Sequence, residues 1–219
     1  GEGPAAYGWL LRTADRRVIW QMQPQPGTES LRFRVRDTLR LAPGRYEVFF
    51  TTQGDVPRRT GFWAWLLPEA PWARSRRDWT LRFQVLDDAA SLRLEDGRPQ
   101  PPGGPALLWT AAPMPSAMAR MALLEVQAPT RVRLYAVGEF DPEPADYGWI
   151  EQLPEGRRVW EMTYAQTRPA GGWRGNRQVL DTLTLAPGLY RAWFQTDDAH
   201  AFGNWRFNPP LDPAAWGLT

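Results

Sequence analysis

The 219-residue sequence contains no cysteine, no lysine and only one histidine. Without cysteine, neither a disulfide nor a thiolate metal site can form. A single histidine also leaves too few ligands for a typical zinc site, which uses three or four protein ligands. Long apolar runs are missing too, since no stretch approaches the roughly 18 residues of a membrane-spanning helix. The sequence therefore excludes a disulfide scaffold and predicts no integral membrane segment.

Recognisable catalytic motifs are absent as well. The sequence has no G-x-S-x-G nucleophile elbow, no phosphate-binding G-x-x-x-x-G-K-[ST] loop and no dinucleotide-binding glycine fingerprint. All 26 basic residues are arginine, and they are mixed with 24 acidic ones to give a net charge of +2. That mixture is typical of a solvated surface, so no nucleic-acid partner is expected. We predict a protein that is not an enzyme.

Tryptophan and proline are abundant, with 13 and 22 residues respectively. The chain also repeats itself. "DTLRLAPGRYEVFFTT" at 37–52 returns as "DTLTLAPGLYRAWFQT" at 181–196, with 10 of 16 positions identical. "YGWL" at 7–10 likewise returns as "YGWI" at 147–150. Because the landmarks keep their order, the sequence predicts a duplicated unit spanning about 7–72 and 147–216.

Alternating apolar residues predict that each copy is built from antiparallel strands with one buried face. In the second copy, Tyr190, Ala192 and Phe194 are predicted to point inward and Trp193 outward. Residues 37–52 are predicted to form two strands joined at the Pro43–Gly44 turn, and parts of 79–96 and 119–140 are also β-like. The fold class predicted is an all-β, antiparallel β-sandwich of jelly-roll type with a duplicated β-unit.

The predicted domains are a β-sandwich domain over 1–140 and a smaller β domain over 141–219, packed on the first. The first would contain copy one and the second copy two. The boundary is placed at "EFDPEPAD", 139–146, because this acidic, proline-containing segment resembles a linker. The chain starts at Gly1 rather than methionine, so we expect a processed or trimmed N-terminus.

A candidate metal site lies in the loop "TDDAHAFGNW" of copy two. Asp197, Asp198 and His200 place three oxygen or nitrogen ligands within four residues, and Ca²⁺ is the favoured ion. The alternative is that the aspartates cap turns through the backbone and that His200 packs on an aromatic ring. No other cofactor is predicted.

Aromatic residues outside the matched positions are the candidate ligand-binding residues, because exposed rings stack on sugars and anchor protein partners. They are Trp65, Trp79, Trp109, Tyr164 and Trp173. Trp193 is added because it replaces Phe49 of copy one on the outward face. Tryptophans that recur in both copies, such as Trp20 and Trp160, are assigned to the core, since a repeated core needs the same large side chains.

The pattern "YGWI…VWEM…LAPGLY…TDDAHAFGNW…PPLDPAAWG" resembles uncharacterised bacterial envelope or secreted β-sandwich repeat proteins. The "L.LAPG.Y" hairpin is loosely similar to those of pre-peptidase C-terminal and carbohydrate-binding sandwich modules. The resemblance implies a non-catalytic, extracytoplasmic binding module that recognises a glycan or a protein partner. The alternative is a structural protein of the cell envelope or of a surface filament, which would self-associate through sheet edges and outward aromatics.

Overall fold

A computed structural model describes most of the second half of the chain and parts of the first. The described residues are 7–23, 34–51, 81–82, 84–86, 93 and 107–219. Eleven strands occur in them: β1 Tyr7–Arg12, β2 Arg17–Gln21, β3 Tyr46–Thr51, β4 Ala119–Val126, β5 Thr130–Phe140, β6 Pro144–Gln152, β7 Arg157–Glu161, β8 Arg168–Pro169, β9 Asn176–Leu185, β10 Gly188–Gln195 and β11 Gly217–Leu218. Two short 3₁₀ turns occupy Tyr164–Gln166 and Pro213–Ala215. No helix in these ranges has the length and apolar character that crossing a bilayer requires. The predicted all-β, antiparallel fold is confirmed.

The chain divides into two compact units, 1–98 and 99–219. In the second unit the strands follow the order β4-β10-β6-β5-β9-β8, with β7 added to β6 and β11 added to β5. The end of β6 pairs with β10 and β7, whereas its start pairs with β5. One sheet layer is therefore β4-β10-β6-β7 and the other is built on β5 and β9.

The core of the second unit lies between these layers. Tyr190, Ala192 and Phe194 on β10 are 2%, 3% and 0% exposed, as the alternating pattern predicts. They belong to one cluster with Val179 of β9 and the fully buried Trp216. Full burial of a large apolar side chain contributes about 1.5–3 kcal/mol relative to exposure, so this cluster is a main source of the unit's stability.

The first unit contains a three-stranded antiparallel sheet in the order β2-β1-β3. This order matches β7-β6-β10 of the second unit. On β1, a β-bulge separates Leu10, opposite Trp20, from Leu11, opposite Val18. On β6, the same irregularity follows Ile150, whose partner is Trp160.

Two hydrogen bonds recur at matched positions of the two sheets. The indole Nε1 of Trp20 donates to Asp37 Oδ2 at 2.9 Å, and that of Trp160 donates to Asp181 Oδ2 at 2.9 Å. Each aspartate also accepts a bond from the next backbone N–H, at 2.8 Å and 2.7 Å respectively. The shared letters of the two hairpins therefore encode one local hydrogen-bond pattern.

A tyrosine at the start of the next strand fixes each proline–glycine turn. The hydroxyl of Tyr46 donates to the carbonyl of Ala42 at 2.7 Å, and that of Tyr190 donates to Ala186 at 2.9 Å. Each bond spans four residues across the turn. Its recurrence explains why tyrosine follows "LAPG" in both places.

One predicted strand of the first unit is absent. Residues 34–41 are described and contain no strand, whereas their counterparts lie in β9. The physical reason is pairing: β9 forms a ladder with β5 from Thr130↔Leu185 to Glu139↔Asn176. Among the described residues, 34–41 have no such partner strand. The predicted strands of 79–96 lie mostly outside the described residues.

The segment 139–146 is not a linker. It connects β5 to β6, and Glu139 pairs directly with Asp146 across the turn. The acidic, proline-containing sequence therefore encodes a tight hairpin connection. The boundary between the two compact units lies instead at residues 98 and 99, so β4 and β5 belong with the second copy.

Candidate functional site

His200, the single histidine, is completely buried. Its Nδ1 accepts hydrogen bonds from the backbone N–H groups of Arg206 (3.1 Å) and Phe207 (3.2 Å). Because Nδ1 is an acceptor, the proton is on Nε2, which donates to Asn176 Oδ1 at 2.9 Å. Burial lowers the pKa of His200 to about 4, so the ring is neutral at ordinary pH. Both ring nitrogens form hydrogen bonds within the second unit, so neither is oriented toward a metal ion.

Aromatic rings enclose this imidazole. Trp173, Trp205 and Trp216 approach it edge-on, with centroid separations of 5.3, 5.0 and 5.5 Å. The arrangement matches the alternative reading of the loop, in which His200 packs on aromatic residues. It makes His200 the centre of the loop that closes the second unit.

The two aspartates of the same loop have different environments. Asp198 is exposed, and its carbonyl oxygen lies 3.4 Å from Asn204 Nδ2. Asp197 is half-buried, and its Oδ1 accepts a bond from the backbone N–H of Ala199 at 2.8 Å. The structure therefore does not gather Asp197, Asp198 and His200 around one point.

Asp197 instead meets two other carboxylates, and we call Glu139, Asp146 and Asp197 the acid cluster. One oxygen from each side chain lies within 4.8 Å of the other two. Glu139 is 7% exposed and Asp146 is fully buried. The acid cluster brings together the β5–β6 hairpin and the end of β10.

The hydrogen bonds within the acid cluster are unequal. Asp146 accepts the backbone N–H of Asp197 at 2.7 Å and the indole Nε1 of Trp216 at 2.8 Å. Oε2 of Glu139 has no hydrogen-bond partner among the described residues. A buried carboxylate oxygen without a donor is costly unless a proton or a cation satisfies it.

Burial and mutual repulsion raise two pKa values in the acid cluster. Burial is the main cause for Glu139, whose pKa rises to about 8, and the charges of Asp146, Asp197 and Asp141 add to it. Burial also raises the pKa of Asp146 to about 7, against the two hydrogen bonds that favour its charged form. In the absence of a cation these two groups therefore hold protons at higher pH than free carboxyls do.

Sequence reasoning missed Glu139 and Asp146 because both fall in the segment interpreted as a linker. A signal was present: the two acids stand at the two ends of one short proline-containing connection, where hairpin pairing places them opposite each other. Asp197 could not be joined to them from sequence, since it lies 51 residues from Asp146.

The four predicted aromatic residues that the structure describes do not share one groove. Trp109 packs against the core cluster, and Trp173 stacks on Phe207 at 4.2 Å. Tyr164 is 53% exposed, with the guanidinium of Arg177 4.4 Å from its ring centre. Trp65 and Trp79 lie outside the described residues.

Trp193 belongs to a broader surface, the outward side of β4, β10 and β6. Its ring stacks on Trp149 at 5.8 Å, and Arg158 lies 4.9 Å above the Trp149 ring. Trp193 Nε1 also donates to Glu151 at 3.2 Å. This side of the sheet therefore carries stacked aromatic rings held by neighbouring charges.

Aliphatic side chains extend this surface toward the sheet edge. Met121, Leu123 and Leu189 are 43%, 64% and 51% exposed. A shallow depression of about 670 Å³ is lined by Met121, Leu123, Leu153, Pro154, Leu189 and Arg191. We call Met121, Leu123, Leu153, Pro154, Leu189 and Trp193 the outer apolar face.

Comparison with known proteins adds no relative. No family model, no curated protein and no solved structure matches the chain. The resemblance to envelope and secreted sandwich proteins therefore stays a prediction.

Proposed function

We propose that the chain is a non-catalytic binding module whose outer apolar face binds an apolar segment of a protein partner. The observation that carries the proposal is the exposure of Met121, Leu123 and Leu189, at 43%, 64% and 51%, around one depression. Neighbouring exposed apolar side chains of this kind are typical of interaction sites, whereas singly scattered ones are not.

The first unit supports a polypeptide as the occupant. Tyr7, Trp9 and Leu11 of β1 are 2%, 2% and 0% exposed, so this side of β1 is buried within the chain. Their counterparts on β6 are only half-buried. If the two sheets are copies of one unit, as their matched registers support, this side of the sheet is adapted to packing against protein.

The charges beside the outer apolar face favour a neutral partner over a highly charged one. Arg191 forms an ion pair with Glu151 at 2.8 Å, and Arg158 pairs with Glu161. Because each cation has an acidic partner, the surface presents little net charge. Affinity would therefore come mainly from apolar burial and from the aromatic stack.

A matched pair of variants tests the proposal. Leu123→Asp places a charge in the outer apolar face, and Leu180→Asp places one at a leucine of similar exposure (58%) on β9. Peptides would be selected from a random phage library on the immobilised chain and synthesised, and their affinities measured by calorimetry. We expect Leu123→Asp to weaken the selected peptides at least tenfold, or about 1.4 kcal/mol, and Leu180→Asp to leave them unchanged. Equal binding by all three proteins would contradict the proposal.

Two further measurements on the same three proteins separate the other hypotheses. If a glycan array binds the wild type and Leu123→Asp removes that binding, the surface is a glycan site. If light scattering detects oligomers that Leu123→Asp disperses and Leu180→Asp does not, the chain is an assembly protein. The assembly protein is the second candidate function, and the exposed leucines of β4 and β10 are the observation that supports it.

An extracytoplasmic location is part of the proposal and rests on the sequence resemblance. Fractionation of cells that express the natural gene, followed by detection with an antibody, tests it directly. Recovery of the protein only with cytoplasmic markers would refute that part and leave the binding proposal untouched.

A further inference from the structure

We propose that Glu139, Asp146 and Asp197 bind one calcium ion. The proposal is independent of the binding function above, because the acid cluster and the outer apolar face share no residue. It retains one ligand of the metal site expected from sequence, Asp197, and replaces the other two.

The spacing of the three carboxylates suits this ion. One oxygen from each residue lies within 4.8 Å of the other two. Calcium binds oxygen at about 2.3–2.6 Å, so two of its ligands can be at most about 4.6–5.2 Å apart. Magnesium is usually held by only one or two carboxylates and keeps several waters, whereas calcium takes six to eight oxygen ligands. Three converging carboxylates therefore favour the larger ion.

Glu139 supplies independent evidence for a ligand. Its side chain is 93% buried, being 7% exposed, and its Oε2 has no hydrogen-bond donor among the described residues. The carboxylate faces Asp146 and Asp197, since one of its two oxygens is part of the group within 4.8 Å. A buried acceptor facing two other carboxylates is a position that a cation would satisfy.

The charge of Arg206 acts on Glu139 and offsets part of the rise in its pKa, but without an ion pair. Among the described residues, no arginine forms an ion pair with any member of the acid cluster, although Arg174 pairs with the neighbouring Asp141 at 3.1 Å. Burying carboxylates without a paired cation is strongly unfavourable. An all-oxygen donor set selects a hard divalent ion over zinc or copper.

The fold holds the ligands in place before any ion binds. A Cβ atom at Gly138 would lie 2.0 Å from the carbonyl oxygen of Asp146, so only glycine allows β5 and β6 to approach this closely. The indole of Trp216 and the backbone N–H of Asp197 hold the Asp146 carboxylate by hydrogen bonds. Asp197 is half-buried, which leaves a path from solvent to the cluster.

Calcium titration of the full chain tests the proposal. Protein stripped with EDTA and desalted would be titrated with CaCl₂ at neutral pH by calorimetry, and with TbCl₃ while exciting tryptophan. Trp216 is hydrogen-bonded to the ligand Asp146, so bound terbium should luminesce through energy transfer from this ring. We expect one ion per chain with a Kd at or below about 1 mM. At a hundredfold excess over Kd, the melting midpoint should rise by about 5–10 °C, from about 2.7 kcal/mol of binding energy.

Glu139→Gln and Asp198→Asn form the matched pair of variants. Glu139→Gln keeps the side-chain volume and should weaken calcium at least tenfold and remove the rise in melting midpoint. It should fold as well as the wild type without calcium, because glutamine has the shape of the carboxyl and adds no buried charge. Asp198→Asn changes the exposed neighbour of Asp197 and should bind like the wild type. Asp197→Asn is a second cluster variant, used if Glu139→Gln does not fold.

Three results would overturn the proposal. The first is the absence of any calorimetric or luminescence signal up to about 10 mM ion, which is ten times the weakest Kd expected. The second is an unchanged calcium affinity in both cluster variants. The third is a response to MgCl₂ as strong as the response to CaCl₂. The first two remove the site, and the third removes the assignment to calcium.

Discussion

The β2-β1-β3 sheet of the first unit and the β7-β6-β10 strands of the second are alike in their internal pairing and different in their surroundings. Both have the same strand order, the same β-bulge and the same tryptophan–aspartate bond. In the second unit, however, β9 continues from this bond into a ladder with β5. In the first, residues 34–41 form no strand. Local sequence therefore sets the turn and its hydrogen bonds, whereas strand formation also needs a partner.

The leucines of the repeated "DTL.L" show the energetic consequence. Leu185 is 2% exposed in the core of the second unit, and its counterpart Leu41 is 43% exposed. The same letter is therefore a core residue in one copy and a surface residue in the other. In the second unit, burial of Leu185 follows from the layer that β5 supplies.

The closing loop is the second difference, and its histidine provides the prediction with the largest expected effect. Copy one has no histidine in the corresponding loop, because His200 is the only histidine of the chain, so only the second unit has a buried imidazole at this place. Burial lowers the pKa of His200 from 6.5 to about 4. Between these values the unfolded chain binds a proton that the folded chain does not, so stability falls as the pH drops. The contribution is complete above pH 6.5, and its loss by pH 4 is on the order of 3 kcal/mol.

NMR measures this pKa directly, because the chain has only one histidine. In the folded chain, we expect the imidazole C2–H resonance to stay constant from pH 8 to pH 5. Below pH 5 it should titrate with a pKa of about 4. The chain unfolded in urea should titrate near 6.5 and serves as the control. A folded-state midpoint near 6.5 would show that the ring is exposed. Thermal melts alone are less direct, because Glu139 and Asp146 have raised pKa values and act in the opposite direction.

The shared tryptophan–aspartate bond gives the next largest effect. Trp160 is 7% exposed and Trp20 is half-buried, so losing the acceptor leaves a buried N–H unpaired only in the second unit. We expect Asp181→Ala to lower the free energy of unfolding by about 2 kcal/mol and Asp37→Ala by about 1 kcal/mol. Urea unfolding followed by tryptophan fluorescence measures both. An equal loss in the two variants would mean that the two bonds have the same environment.

These comparisons show which features could be predicted from the sequence. The inward alternation of Tyr190, Ala192 and Phe194 was predicted correctly because it depends only on strand periodicity. The pairing of β4 and β5 with the second copy was not, because proline and acidic residues in 139–146 are equally typical of a linker and of a tight hairpin. Sheet partners are set by contacts between distant segments, which periodicity does not encode.

The candidate sites depended even more on long-range contacts. The acid cluster needs the close approach of β5 and β6 at Gly138 and the arrival of Asp197 from β10. Asp146 and Asp197 correspond to Ala6 and Gln53 in copy one, so the repeat itself gave no hint of a cluster. The metal site was predicted at Asp197, Asp198 and His200 because these residues are close in sequence. In the structure, Nδ1 of the buried His200 accepts two backbone hydrogen bonds, so it is not available to share an ion with the two aspartates.

The β1–β2 and β6–β7 turns provide the smallest and most specific test. Arg16 and Gly156 occupy the same position and both have left-handed backbone conformations, with φ of 53° and 70°. Arg16 Nη1 lies 3.1 Å from Glu47 Oε1, and this ion pair offsets the backbone strain of Arg16. The residue of the second unit that corresponds to Glu47 is Arg191. An arginine at position 156 would therefore have the strain of a left-handed backbone and would be repelled by the positive charge of Arg191. We expect Gly156→Arg to destabilise the protein by about 1 kcal/mol or slightly more.

Arg16→Gly is the reciprocal change. It removes the strain and the ion pair together, and because these effects oppose each other we expect a change in unfolding free energy of less than about 1 kcal/mol. Gly156→Ala separates the two contributions, since a Cβ there meets no atom within 4 Å and adds backbone strain alone. If Gly156→Arg were no more destabilising than Gly156→Ala, the charge of Arg191 would have no effect at this turn. The two turns would then differ only in which residue tolerates a left-handed backbone. The ion pair between Arg16 and Glu47 would not contribute to the stability of the first unit's turn.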